Sequence, residues 1–151
     1  MHEELTELIK KANNIVILTG AGISTESGIP DFRGPQGIWK STTPIYFQDF
    51  ISSEEVRRES WKRKFNIDNT ISKAKPNKGH EAIADLVKKG KVNAVITQNV
   101  DNLHQDSGIP MDKVIELHGN TTYAICLSCK KRYEIDIIQK EFFTAIVRMK
   151  L

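Results

Sequence analysis

The chain alternates short apolar runs with longer stretches in which apolar positions recur every three or four residues. Ile15-Val16-Ile17-Leu18-Thr19 is aliphatic or β-branched throughout and carries no charge. That pattern predicts a strand buried on both faces of a parallel sheet. Residues 93–97 and 114–117 predict a second and a third strand. Helical patterns lie before and between them. Leu5, Leu8, Ile9 and Ala12 keep helical spacing, with Glu3, Glu4 and Glu7 early and Lys10 and Lys11 late. The charges complement the helix dipole, and Asn13-Asn14 ends the pattern. Residues 34–50 hold Pro35, Gly37, Pro44 and scattered aromatics and read as loop. Ser52 and Glu55 have the spacing of a capping box, ahead of a helix with Val56, Trp61 and Phe65 on its apolar side. Residues 73–79, with Pro76-Asn77, read as a turn. A helix follows through Ala82, Ile83, Leu86 and Val87, with Gly90 placed as the glycine just past its end. Residues 101–107 read as a helical turn ended by Gly108. Strand and helix in turn predict an α/β fold, a doubly wound parallel sheet of Rossmann-like type. From Thr121 the texture changes: residues 123–126 and 131–135 predict two short strands around Cys126 and Cys129, and residues 136–151 have helical propensity. Residues 1–120 therefore read as one α/β portion, with 35–80 a loop and helical insertion, and 121–151 as a small second module.

Composition narrows the function classes. The 151 residues carry a net charge of +3. Bases gather in 57–64 and 73–91, but Glu54, Glu55, Glu59 and Glu81 are interleaved, which describes a solvated helix face and no specific nucleic-acid footprint. No run approaches the ~18 apolar residues of a membrane span. Met1-His2-Glu3-Glu4 has acids where a signal peptide carries bases, which predicts a cytoplasmic protein. Two cysteines spaced C-x-x-C in such a chain point to metal or redox chemistry ahead of a structural disulfide.

The candidate chemistry lies just after the predicted strands. Gly20-Ala21-Gly22 lets the backbone turn and lets a phosphate approach its N–H groups. Ser24 or Thr25 is placed to cap a following helix. Strand, glycine turn and helix N-terminus make the layout of a dinucleotide site. The fingerprint is incomplete, since Thr25 stands at the third glycine and Lys40 where an acid is expected. A tight turn after a core strand is the plainer alternative. Gln98, Asn99 and Asp101 follow the second strand and suit either a carboxamide and ribose pocket or an ordinary Asx-rich turn. His118 follows the third strand, and an imidazole titrating near ~6.5 suits a general base. His2 lies in the terminus, His80 starts a helix, and His104 reads as a structural hydrogen-bonding residue. Asp31, Phe32 and Arg33 share one loop between Gly28 and Gly34: the aromatic can exclude water, and the guanidinium can pair with phosphate or with Asp31.

Residues 15–34, reading IVILTGAGISTESGIPDFRG, resemble the signature of the sirtuins, NAD-dependent protein deacylases. Thr97-Gln98-Asn99-Val100-Asp101-Asn102-Leu103-His104, Glu116-Leu117-His118-Gly119-Asn120 and Cys126-Leu127-Ser128-Cys129 match the same family in order. The resemblance runs to about Ile135 and then fades. It implies that residues 1–120 bind NAD, that Gly20, Ala21, Gly22, Ser24, Asp31, Phe32, Arg33, Gln98, Asn99 and Asp101 line the cofactor site, and that Asn99 and His118 act in catalysis. Asp101 would bind the nicotinamide carboxamide, and Asn99 the ribose and a water. The implied reaction transfers an acyl group from lysine to ADP-ribose and releases nicotinamide, with His118 deprotonating a ribose hydroxyl. An acylated-lysine protein or peptide is the implied substrate.

Cys126 and Cys129 resemble the first half of the family's Cys₄ zinc site, with a redox pair or an unfilled knuckle as alternatives. The second cysteine pair, the later strands, the glycine-threonine-serine segment and the substrate-sandwiching strand have no counterpart here. That implies a frameshift, a premature stop or an incomplete gene. It also leaves open an inactive remnant that binds NAD or a partner chain, ADP-ribosyl transfer from the same pocket, and a homodimer through an exposed sheet edge or shared zinc. The motif positions predict that Phe32, Asn99, Asp101 and His118 face one cleft with the turn at Gly20–Ser24.

Overall fold

The computed structural model describes residues 2–31, 34, 37 and 43–148. Phe32 and Arg33 lie outside them. The first element is helix α1 (His2–Lys11), with Glu3 and Glu4 in its first turn and Lys10 and Lys11 in its last. Lys91 Nζ donates to the carbonyls of Lys10 and Ala12 at 2.8 and 2.9 Å, placing a cation at the negative end of the helix.

Strands β1 (Ile15–Thr19), β2 (Val92–Thr97) and β3 (Val114–Glu116) form a parallel sheet in that order, with β2 central. Leu18, Ile96 and Ile115 share one row across it, and Thr19, Thr97 and Glu116 the next. Helix α4 (Lys78–Lys88) packs against β2. Ile83 meets Val92, Val95 and Ile109 there, flanked by Ile15, Ile17, Ile23, Leu86, Val87 and Val114. The expected burial of β1 on both faces is not found. Val16 is 60% and Leu18 63% exposed, and Ile115 and Leu117 are also exposed. One face of the sheet is covered by α4 and the other is left open among the described residues. Leu5 and Leu8 of α1 are exposed as well, so the predicted amphipathic face has no covering partner among them.

The insertion between β1 and β2 holds more helix than its sequence suggests. The stretch read as loop ends earlier, because α2 (Phe47–Ser52) begins inside it. Ser53 both ends α2 and caps α3 (Glu54–Ile71), its Oγ accepting from Val56 N at 3.3 Å. The predicted Ser52–Glu55 capping box is therefore not formed: Ser52 is already helical, and the cap falls on Ser53, whose N3 residue, Val56, has no polar side chain to return the bond. Asn77 caps α4, accepting from Gly79 N through Oδ1, while its own N–H donates to His80 Nδ1. Gly90, at φ +71°, ends that segment as expected.

Past the sheet, β4 (Tyr123–Ile125) and β5 (Arg132–Glu134) form the predicted antiparallel hairpin. Helix α6 (Ile135–Arg148) follows. Phe142 and Phe143 of α6 lie 5.4 and 5.6 Å from the Phe65 ring, and Trp61 stacks on that ring at 5.5 Å. Phe65 is 2% exposed and joins α3 to α6. No described helix is long and apolar enough to cross a membrane. Phe65→Ala should destabilise the fold by about 3–5 kcal/mol through lost burial and the cavity left behind. Urea unfolding of the two proteins measures this, and an unchanged midpoint would show that α6 does not depend on that ring.

Candidate active site

Because β1, β2 and β3 run parallel, their carboxyl ends meet one edge, where open α/β sheets bind ligands. Gly20, Gln98 and Leu117 leave the three strands at that edge. After β1 the chain enters a 3-10 turn, Ala21–Ser27, with Gly20 extended at φ −135° and no side-chain cap. Neither Ser24 nor Thr25 caps a helix. Ser24 lies inside the turn, 1% exposed, and its Oγ donates to Asp101 Oδ2 at 2.6 Å. Thr25 Oγ1 donates back to the Gly22 carbonyl at 2.9 Å. A hydroxyl bonded to a carboxylate makes a stronger, charge-assisted bond than a neutral cap. A Cβ at Gly20 or Gly22 would meet no atom within 4 Å among the described residues, and neither residue has positive φ. Among the described residues, neither a turn conformation nor a protein neighbour therefore requires glycine there. What the two residues leave is open space beside the backbone, which fits the close approach of a phosphate.

Asn99 and Asp101 follow β2. Asn99 Nδ2 donates to Ser24 Oγ at 3.1 Å, so Ser24 accepts from one residue and donates to the other. Asp101, 7% exposed, also accepts from Leu103 N at 3.0 Å through Oδ1. Each of its oxygens keeps acceptor capacity. Asn102 adopts φ +66°, and α5 (Leu103–Asp106) begins directly after it. Gln98 is exposed, held by its backbone N–H to Thr19 O at 3.0 Å. Asp31 Oδ1 accepts from Gly34 N at 2.9 Å. Ser24, Asn99 and Asp101 are brought together by direct bonds, and Gly20 to Gly22 adjoin them. His118 lies at the same sheet edge, exposed, after the edge strand β3, and hydrogen-bonds none of those three.

Behind this cluster is a buried polar network that residue patterns did not reveal. Both strands end in threonine at the same register. Thr19 Oγ1 donates to Thr97 Oγ1 at 2.9 Å, Thr97 Oγ1 accepts from Asn99 N at 3.0 Å, and His104 Nε2 lies 2.7 Å from Thr19 Oγ1. With its own proton given to Thr97, Thr19 accepts from His104 Nε2–H. His80, whose Nδ1 accepts from Asn77 N, carries its proton on Nε2. His80 Nε2 and His104 Nδ1 are buried and unpaired among the described residues. One is thus a donor and the other an acceptor, on rings 5.0 Å apart. Burial depresses both imidazole pKa values; the Asp101 carboxylate opposes the shift, and His80 adds to it at His104. The one local signal was His80 three residues after the capping Asn77; that Thr19 stands opposite Thr97 follows only from the strand register.

Cys126 and Cys129 are both free thiols. The hairpin closes through Cys126 N to Lys131 O at 2.9 Å and Lys130 N to Cys126 O at 3.0 Å, with Lys130 at φ +60°. The N–H groups of Cys129 and Ser128, then the Cys129 thiol, hold the Cys126 thiol below its usual pKa. That suits a metal-binding sulfur, but no third His, Cys, Asp or Glu converges on the pair among the described residues. Two thiols do not complete the four-ligand shell of structural zinc.

A parallel α/β sheet with a glycine turn and hydrogen-bonded Ser24, Asn99 and Asp101 at its carboxyl edge has the layout of the open α/β class, whose ligand sites lie at that edge. The Sir2 family model matches residues 20–148, and the chain belongs to the Sir2 family. It is 54% identical over 141 residues to an NAD-dependent protein deacetylase of Rhodopseudomonas palustris, covering 93% of this chain and 56% of that protein. It is 49% identical over 142 residues to one of Thermodesulfovibrio yellowstonii, covering 92% and 55%. A solved Sir2 structure with a p53 peptide and NAD⁺ matches at TM-score 0.78 and 40% identity, over 93% of this chain and 55% of that one. The chain spans about half the length of these relatives.

The depressed histidines give a pH signature. Unfolded imidazoles take up protons below ~6.5 while the buried pair resists, so the stability of the neutral pair is complete above that pH and declines as pH falls towards the folded values. His104→Gln keeps a donor for Thr19 and removes the titration. Urea midpoints taken from about pH 7.5 to about pH 5 should fall more steeply for the native chain than for this variant. Parallel profiles would show that His104 does not resist protonation.

Proposed function

We propose that this chain is the NAD-binding portion of a sirtuin-type protein lysine deacylase, with Asn99 and His118 in its catalytic machinery. The observation that carries the reading is the Ser24–Asn99–Asp101 constellation beside the open backbone at Gly20 and Gly22. NAD, when bound, supplies an anomeric carbon with nicotinamide as leaving group. The chain's residues do the rest. Gly20, Ala21 and Gly22 admit the phosphates, and Asp31, Phe32 and Arg33 form the cofactor loop. Asp101 uses its remaining acceptor capacity for the carboxamide N–H, and Ser24 locks the Asp101 rotamer. Asn99 and Gln98 address the ribose. His118, exposed at the edge, would take up the proton of a ribose hydroxyl of bound NAD. An acylated-lysine peptide is the substrate in this reading, since a related Sir2 has been solved with a p53 peptide. The decisive assay incubates the 151-residue chain with NAD and an acetyl-lysine peptide and measures nicotinamide and O-acetyl-ADP-ribose. His118→Ala should lower product formation about 10²–10⁴-fold and nicotinamide release less, because the histidine acts after nicotinamide departs. Undiminished product formation in the variant would sink the assignment. A second reading, NAD binding without turnover, is favoured by the open apolar sheet face at Val16, Leu18 and Ile115. Saturable NAD binding with no product would select it.

The Cys126–Cys129 hairpin is, in this reading, a structural metal element with no part in the reaction. One such hairpin supplies half of a tetrahedral zinc shell, so if the metal is bound, two copies of the 151-residue chain share one ion, and no zinc at all would mark an unfilled knuckle. Metal analysis with native mass measurement should find one zinc per dimer, lost on Cys126→Ser. One tightly held zinc per monomer would overturn the shared site.

A further inference from the structure

We propose that Glu116 is a positioning residue that clamps the His118 loop against the loop carrying Asp101. It rests on the reading of His118 as the base. Glu116 ends β3, two residues before His118, and Asn120 follows two residues after it. Asn120 Nδ2 donates to Glu116 Oε1 at 2.6 Å, closing a five-residue loop with His118 at its apex. Gly119, at φ +77°, makes the bend that brings the two side chains together. The same Asn120 amide donates to Asn102 Oδ1 at 2.9 Å, next to Asp101. Gln105 Nε2, from α5, donates to Glu116 Oε1 at 2.7 Å. Tyr123 Oη, from the cysteine hairpin, donates to Glu116 Oε2 at 3.1 Å. The Arg132 guanidinium covers the Tyr123 ring at 4.1 Å. Burial, then the Glu116 charge, raises the Tyr123 pKa and keeps the phenol a donor. Backbone bonds pin both ends of the loop, Leu117 N to Thr97 O at 2.9 Å and Thr121 N to Val100 O at 2.8 Å.

This half-buried carboxylate faces no cation among the described ion pairs. Three neutral donors from three separate segments converge on it instead. A side chain that merely filled space would not need two acceptor oxygens, and one that merely carried surface charge would not collect an amide from its own loop and another from α5. The clamp leaves the His118 ring free while fixing the backbone that carries it. A base gains from such placement, since its contribution depends on hydrogen-bond reach to the proton it takes.

The test uses the full 151-residue chain with ring-¹³C-labelled histidine and reads the four imidazole signals by NMR. Glu116→Ala should split the His118 signal or broaden it to loss, with the buried His80 and His104 signals unmoved. Glu116→Gln keeps an acceptor for the amides, and the Tyr123 hydroxyl can turn to accept from the new one, so a single His118 signal should return. Asn120→Ala, which removes the other half of the clamp and leaves the Tyr123 bond, should reproduce the splitting, and it decides the matter where Glu116→Ala fails to fold. A His118 signal unchanged in Asn120→Ala overturns the proposal. So do His80 and His104 shifts that track His118 in that variant, because they would make the network a general support of the fold. The readout needs no turnover, so it stands apart from the His118→Ala assay that judges the base itself.

Discussion

The bond between Ser24 and Asp101 is the constraint on which the site depends. A carboxylate this deeply buried is costly unless donors surround it. Ser24 Oγ and Leu103 N supply them, and each has a structural consequence. Ser24 must lie within the turn after β1, so that turn is a tight 3-10 segment. Leu103 N must point back at Asp101, so α5 starts abruptly after a left-handed Asn102. Two distant parts of the chain are thereby joined at the edge where the parallel strands end. The same buried charge lies near two imidazoles that burial keeps neutral, so the polar interior behind the site is held together by uncharged hydrogen bonds around one anion.

What the sequence made legible was the local part. The three strands, the glycine after α4, the hairpin around the cysteines and the family motifs all depend on residues close together in the chain. Caps were harder. Ser52 and Ser53 both offer a hydroxyl, and only the break between α2 and α3 selects the second. Helix α2 was hidden because its six residues, Phe47–Ser52, are too few to display a period. The network of Thr19, Thr97, His80 and His104 was out of reach, since it needs the register of β1 on β2 and the packing of α4 and α5. The double burial expected of β1 failed for a related reason. An apolar run reports what a strand can tolerate, and Val16 and Leu18 report nothing of whether a covering element is present.

Helix α3 links both ends of the molecule. Phe65 anchors the aromatic cluster with α6, and one residue away Lys64 Nζ pairs with Asp68 at 2.6 Å and donates to Thr121 O at 3.0 Å. The insertion between the first two strands thus supports the loop after His118 from outside the sheet. The small hairpin reaches the other end of that loop, at Glu116, through Tyr123, so the second module is tied to the sheet edge by side chains as well as by the chain itself.

The pairing of β1 with β2 also bears on the order of assembly. Thr19 and Thr97 are 78 residues apart in sequence, whereas β2 ends at Thr97 and β3 begins at Val114, with only α5 and a short 3-10 turn between them. Loop-closure entropy grows with the length enclosed, so the nearer pair has the smaller cost to meet before its contacts form. The unit from β2 to β3 is the natural nucleus, and the glycine turn joins the site only when β1 docks. A ribosome releasing this chain from its N-terminus would therefore present the glycine turn first and complete the sheet edge around it last.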